Sequence, residues 1–360
     1  MKLKIYIIIL LSYATFIAAE GDNDTSTTTK LDIFPFILYD TDIGFGAGVK
    51  SFYYNPLEHN ESFDLLLFAS TKGERRIAFG FSVPDYQYRQ RKIYDFAFDL
   101  LVDFDLLIQN NFFGIGNQAK FEDREYYSRE PLEISITASR AFTPYFISSA
   151  GVRYKTIAND NLSGNSKLKS TGNILNISRV NATSFFINAR YDTKNNFINP
   201  GEGIFLKGEF EYIPNISINN VNYIKLYLDF QYYYTISFIK TIFATRLRIE
   251  SLFGNNLPVQ VLLPIGGNRT VRGEPQDRFL DKTAAVFNAE LRYPIFWRFG
   301  GIIGFDAGKV WHSINKMDLA RWVLSPALGL RFYFDTFVVR LDAGFSKEYT
   351  GFYFNVEHMF

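Results

Sequence analysis

From about residue 30 onward, segment after segment of this chain alternates bulky apolar and polar side chains, the two-residue period of a β-strand. In 224–232, Ile224, Leu226, Leu228, Phe230 and Tyr232 oppose Lys225, Tyr227, Asp229 and Gln231. In 204–212, Ile204, Leu206, Gly208, Phe210 and Tyr212 oppose Phe205, Lys207, Glu209 and Glu211, and 93–102 and 328–335 repeat the pattern. The greasy faces are aromatic-rich and about ten residues long, with charges of both signs opposite. That matches a sheet with hydrocarbon on one side and a polar enclosure on the other. Only a closed sheet leaves no backbone group unpaired in hydrocarbon, so the expected fold is an all-β, antiparallel transmembrane barrel of the outer-membrane type. A large soluble β protein also alternates and is the competing fold.

Strands drawn from the alternation number sixteen between residues 32 and 360, an even count as bacterial barrels require. With both ends in the periplasm, the odd-numbered connections face outward. They include 105–125, 158–181, 253–282 and 312–321, against short even ones at Thr143-Pro144, 237–239, 296–298 and Asp335-Thr336. Aromatic residues supply 18% of the chain, more than one soluble core needs, and the net charge of +1 offers no basic footprint for nucleic acid. There is no cysteine, hence no disulfide and no lipid-modified N-terminal cysteine. Residues 1–19, MKLKIYIIIL LSYATFIAA, have the layout of a secretory signal peptide, with a membrane anchor as the alternative. A short polar linker, 20–31, would lead to a barrel over 32–360. No later segment approaches the ~20 apolar residues of a membrane helix.

One segment breaks the pattern. GGNRTVRGEPQDRF, residues 266–279, places three arginines between strongly alternating neighbours. With the following AELRYPI, it resembles the VRGF/VRGY loop and next strand of the outer-membrane assembly superfamily, the BamA/TamA-type insertases and the bacterial surface antigens. YDTKNNFINPGEG at 191–203, GFDAGKVW at 304–311 and the terminal strands are similar too. The resemblance implies that the long loop 253–282 folds into the lumen, with Val271, Arg272 and Gly273 at its tip. It also implies an inward carboxylate as partner for Arg272: Asp306 first, with Glu290 and Asp342 as rivals. An arginine in a confined lumen needs such a partner, and its planar fork suits one. An exposed loop with incidental arginines is the alternative. Glu274 stands where the family has an aromatic residue, and 20–31 leaves no room for the family's periplasmic polypeptide-transport-associated domains.

Two further features belong to the barrel's closure. The last strand carries Phe352, Phe354, Val356, His358 and Phe360 on one face and ends on Phe, resembling the assembly signal of outer-membrane barrels. Pro35 in the first strand cannot donate a ladder hydrogen bond, and Gly44, Gly46 and Gly48 leave one face of the second strand bare. A first-to-last seam could therefore open sideways; equally, the proline could sit harmlessly near a strand start.

No enzyme is expected, and no cofactor or metal. Gly44-x-Gly46-x-Gly48 is followed by no helix to hold a phosphate. His59, His312 and His358 are scattered without metal-ligand spacing, and no G-x-S-x-G turn occurs. Trp297, Trp311 and Trp322 fall at strand ends, where an interfacial girdle would place them. The expected role is assistance to protein insertion or translocation at the outer membrane of a diderm bacterium. Outer-membrane lipid, unfolded outer-membrane protein clients and a periplasmic partner would be its partners, and nucleic acid would not. A transport pore gated by the inward loop and a structural surface antigen are the alternatives.

Overall fold

The structure, a computed structural model, describes residues 29–160, 166–172 and 178–360. The expected signal peptide and residues 20–28 of the linker lie outside the described residues. The first half of the chain forms β1 (Lys30–Asp40), β2 (Gly44–Tyr54), β3 (Ser62–Ser70), β4 (Glu74–Val83), β5 (Tyr94–Phe112), β6 (Glu125–Ala141) and β7 (Phe146–Asp160). Then follow β8 (Arg179–Asp192), β9 (Gly203–Ile213), β10 (Tyr223–Ile236), β11 (Thr241–Phe253), β12 (Leu263–Ile265) and β13 (Phe279–Asp281). The chain ends with β14 (Thr283–Phe296), β15 (Phe299–Trp311), β16 (Val323–Tyr333), β17 (Val338–Phe345) and β18 (Thr350–Val356). All but β12 and β13 close one antiparallel ring in chain order, sixteen strands in all. The ring passes from β11 straight to β14 and from β18 back to β1. A closed sixteen-stranded ring with its apolar face exposed outward is the expected transmembrane barrel and not a sheet that buries that face in a soluble core.

Side-chain direction follows from pairing. On β10, Leu226, Leu228, Tyr232 and Tyr234 are exposed on the outer face, whereas Asp229, Gln231 and Tyr233 are buried within. The inner wall of the middle strands is laced with ion pairs, such as Arg246 with Asp229 and Arg153 with Glu133, Glu209 and Glu211. The inner face near β1 differs. Gly44, Gly46 and Gly48 pair with Asp40, Leu38 and Phe36. A β-carbon at Gly46 or Gly48 would overlap Phe68, Leu38 or Phe36, and the Phe36 and Phe68 rings stack at 6.0 Å. The bare face is thus filled by neighbouring aromatic rings, and this stretch of wall is apolar rather than polar.

Connection lengths follow the expected parity only in part. At the end opposite the termini, 113–124, 214–222, 254–282 and 312–322 are long, but 41–43, 71–73 and 346–349 are tight turns. At the end holding the termini, 84–93 and 193–202 are long. Arg91 ties these two together, donating to the carbonyls of Asp192 and Lys194 while lying over the rings of Tyr145 and Phe197. The tryptophans divide likewise. Trp297 is 78% exposed and joins an aromatic cluster with Phe299 and Phe332 at the terminal end. Trp311 is 6% exposed, packed edge-on against Trp322 and donating to Asp318 across the 312–322 connection. It is an anchor for that loop and no part of a lipid-facing girdle.

Candidate functional site

The 254–282 segment does not extend into solvent. Its flanks are apolar: Leu257, Val259, Leu262, Leu263, Ile265, Phe279 and Leu280 are buried with Phe112 of β5, Tyr127 of β6, Leu252 of β11, Val286 of β14 and Val310 of β15. The short β12–β13 hairpin carries several of these side chains. Burial of aliphatic surface at roughly 25 cal/mol per Å² holds such a segment without help from charge. That apolar anchor is not among the expectations from the sequence, which rest on the polar tip. The signal was present in 257–265, LPVQVLLPI.

Beyond the hairpin, the polar tip reaches strands around the ring. Asn110 Nδ2 donates to Asp277 Oδ2 at 3.0 Å, and Asn111 Nδ2 to the carbonyl of Gln276 at 2.9 Å. Arg278 donates to Glu348 at 2.8 Å and to the Ala119 carbonyl, with its guanidinium over the rings of Phe113 and Phe279. Asn268 donates to Asp40, and the Gln276 amide donates to Asp42 at 2.9 Å. These partners lie on β5, on the hairpin from β1 to β2, and beside β17, so the segment occupies the interior of the ring.

Arg272 is fully buried, with no measurable exposure, as is Asp306. Its Nε and Nη2 donate to the two oxygens of Asp306 at 2.8 and 3.0 Å, and its backbone amide adds a third contact at 3.1 Å. Nη1 donates to Glu290 at 2.7 Å and to Asp342 at 3.1 Å. The three carboxylates named from the sequence therefore meet at one guanidinium, because β14, β15 and β17 each turn an inward position toward the same point. Asn288 braces the arrangement, donating to both Asp306 and the Thr270 carbonyl. Tyr353 of β18 donates to the Arg272 carbonyl at 2.7 Å.

Three more buried arginines complete the cluster. Arg292 pairs with Glu290 at 2.8 Å, Arg340 with Asp342 at 3.1 Å, and Arg331 with Asp342. Four guanidiniums thus face three carboxylates. Burial pulls the Arg272 pKa down, but Asp306 and Glu290 outweigh it and hold the group charged, well above its ordinary value. At ~4 Å the attraction is roughly 4 kcal/mol at an intermediate dielectric, and desolvation takes back much of it, so the cluster fixes position more than it adds stability.

Space is as tightly set as charge. A β-carbon on Gly273 would overlap the Phe345 backbone and Ser325, and β-carbons on Gly344 or Gly351 would overlap the Arg272 backbone. Gly273 is thus required by close approach of the tip to β17 and by nothing in its dihedral angles. Val271 is wholly buried beside Gly308. Glu274, in place of the family's aromatic residue, is buried with one oxygen unpartnered and Arg278 at 3.9 Å. Burial pushes its carboxyl up to about 7.

The seam is short. Only Tyr39–Phe354 and Asp40–Tyr353 register between β1 and β18, whereas β16 and β17 share seven registered pairs. Thr41 extends the contact by one step: its amide donates to the Phe352 carbonyl at 3.1 Å, and its hydroxyl accepts from the Phe352 amide at 2.7 Å. N–H direction alternates along a strand, so Pro35, six residues before Thr41, turns its missing donor toward the seam. The last residues leave the ladder. Phe352, Phe354 and Val356 stand on β18, but Glu357 takes a φ of 83° and breaks the extended backbone. Beyond it, His358 lies 3.2 Å from Asn199, and Phe360 offers its carbonyl to Arg292 at 3.1 Å with its ring 5.2 Å from that guanidinium. The expectation that Phe360 shares one strand face with Phe352, Phe354 and Val356 is therefore corrected: past Glu357 the chain turns, and Phe360 meets the Arg292 guanidinium, otherwise only partly satisfied.

No His/Cys/Asp/Glu group suited to a metal ion occurs among the described residues. In comparisons with known proteins, no curated protein sequence matches the chain. Among solved structures, it is similar to BamA from Haemophilus ducreyi lacking POTRA domains 1–3, with a TM-score of 0.67 and 13% identity over 92% of this chain and 70% of that one. It is also similar to CdiB from Escherichia coli, at TM-score 0.64 and 14% identity over 91% and 67%, and to CdiB from Acinetobacter baumannii, at 0.55 and 14% over 92% and 66%. The chain thus spans about two thirds of each of these relatives, and the likeness is one of fold. The family model of the Omp85 superfamily domain matches residues 55–360, and the chain belongs to that superfamily.

Proposed function

We propose that this barrel assists the insertion of proteins into the outer membrane, or their passage across it, with the β1–β18 seam as its working element. The observation that carries the reading is the seam's two registered pairs beside a proline that turns no donor toward it. An edge with unpaired backbone groups is a template for another strand. Below Tyr39, the seam side of β1 is such an edge, while Leu31, Ile33 and Ile37 point outward and exposed. Unfolded outer-membrane proteins are the clients this edge suits, and the work is strand exchange without covalent chemistry. In this reading the arginine cluster holds the inner loop against β14–β18 and sets the shape of the wall beside the seam.

Client folding tests it. Purified protein in liposomes is mixed with an unfolded small barrel protein, and folding is followed by the gel shift of the heat-resistant form. Folding several-fold faster than in liposomes with an unrelated barrel is expected. Equal rates would sink the insertion reading and favour a pore.

A further inference from the structure

Across the barrel from the Arg272 cluster, the inner faces of β5–β9 and the connection 84–93 line a polar cavity of about 320 Å³. It lies toward the end that holds the termini. Arg89, Arg190 and Lys207 line it, against a single lining acid, Asp99. Three lining cations thus face one lining carboxylate, with Glu209 beside Lys207 as the next acid.

Two separate observations say this positive charge is met only in part. Arg190 and Lys207 are direct cross-strand partners on the inward face of β8 and β9, and like charges so placed destabilise a sheet. The acids beside the pair on that inward face are shared with other cations: Glu209 lies 3.5 Å from Lys207 and accepts from Arg153 at 3.1 Å, and Asp192 lies 3.9 Å from Arg91. The second observation concerns Arg89, which is only 8% exposed. Its Nη2 donates to Asp99, but Nη1 is buried with no hydrogen-bond partner among the described residues. A buried charged donor left without a partner is more costly than a neutral one. The guanidinium is nevertheless fixed in place, about 6 Å from the ring centres of Tyr86 and Tyr94, and Tyr86 in turn accepts from Arg190 at 3.2 Å. Ser149 and Asn188 add neutral donors to the wall.

We propose that this cavity binds a phosphate group, either free phosphate or the monoester end of a larger molecule. An oxyanion answers both the opposed cations and the idle Nη1, since a guanidinium fork matches oxyanion geometry. Phosphate is favoured over carboxylate because three cations from separate elements converge, and a monoester offers three acceptor oxygens and about −1.5 to −2 charge at neutral pH, where a carboxylate offers two oxygens and one charge. The inference does not depend on the insertion reading, which concerns the other side of the ring.

Calorimetric titration of the full chain in detergent, at fixed ionic strength, tests it with three probes: inorganic phosphate, glycerol 1-phosphate, and phosphatidic acid in mixed micelles. One saturable site is expected, with acetate failing to compete. Lys207→Gln and Arg190→Gln should each weaken binding about tenfold or more, as loss of a contact to a charged group implies. Lys316→Gln, on the 312–322 connection, should leave it unchanged. Both cavity variants are checked for the heat-resistant gel form; Lys207, with its side chain 35% exposed, is the one that folding tolerates best. Tighter binding of phosphatidic acid than of glycerol 1-phosphate assigns a lipid source, and the reverse assigns a soluble one. No saturable binding of any probe, or unchanged affinity in both folded variants, overturns the proposal.

Discussion

Among the described residues Asp306 has one charged partner, Arg272, whereas Glu290 and Asp342 each have others. Replacing Arg272 with Ala therefore strands one carboxylate in particular. Breaking a buried pair costs about 3–5 kcal/mol, most of it the uncompensated charge. The expected outcome is a loop 254–282 that becomes protease-sensitive, with Asp306→Asn restoring part of the protection in the double variant. Unchanged protection in Arg272→Ala would remove the case for a docked loop. Glu274 gives the second prediction at this scale. Its carboxyl is raised in the docked loop to about 7, so docking is strongest below the ordinary glutamate range and weakens as pH rises through about 7. Asp42, in the turn that accepts the Gln276 amide, is likewise raised to about 7, by burial and then by Asp40. Protease protection should fall between pH 5 and 8, roughly, and fall less in Glu274→Gln; an identical fall would show that other groups carry it. The carboxylates around Arg272 were legible because the family resemblance implied an inward partner and parity at a period of two showed which acids face inward. That all three would converge was not, since it depends on strand stagger around the ring. Gly344, Gly351 and Tyr353 gave no signal, because a bare or aromatic inward position has many uses.

Among elements, most barrel strands were read to within a few residues of their ends, but β5 runs to Phe112, well into the expected connection 105–125, and the other failures have two causes. β12 and β13 are three residues each, too short for alternation to register. The end of β18 and the burial of Trp311 are set by partners far away in sequence, Arg292 and Asp318. The seam offers the cleanest test at this scale. Tyr39 and Phe354 are registered partners, and the chain has no cysteine of its own. A Tyr39→Cys, Phe354→Cys variant should form a reducible crosslink. Oxidised, it should lose the client-folding acceleration in liposomes; reduced, it should regain it. Full acceleration with the crosslink formed would place the working element elsewhere.

For the whole molecule, the consequence of an occupied interior is low permeability. The loop meets β5, β14, β15, β17 and β18, and the tail at His358–Phe360 reaches Asn199 and Arg292 from the other end. Planar bilayers holding the wild-type protein should show little steady conductance, and Arg272→Ala should show long open events. Large wild-type channels would make the protein a constitutive pore. The closed ring itself was legible because the strand count and the lipid-facing alternation agree, whereas the filling of the interior is a matter of what three-dimensional closure brings together.

The hairpin joining β1 to β2 serves two contacts at once. Asp40 and Asp42 take hydrogen bonds from Asn268 and Gln276 of the loop, while Asp40 and Thr41 form the top of the seam. Two equilibria that share a part are thermodynamically linked, and linkage is reciprocal. Whatever factor loop release contributes to seam opening, a strand captured at the seam returns to loop release. Occupancy of the edge would thus be reported, from the opposite face of the membrane, by the exposure of residues 266–279.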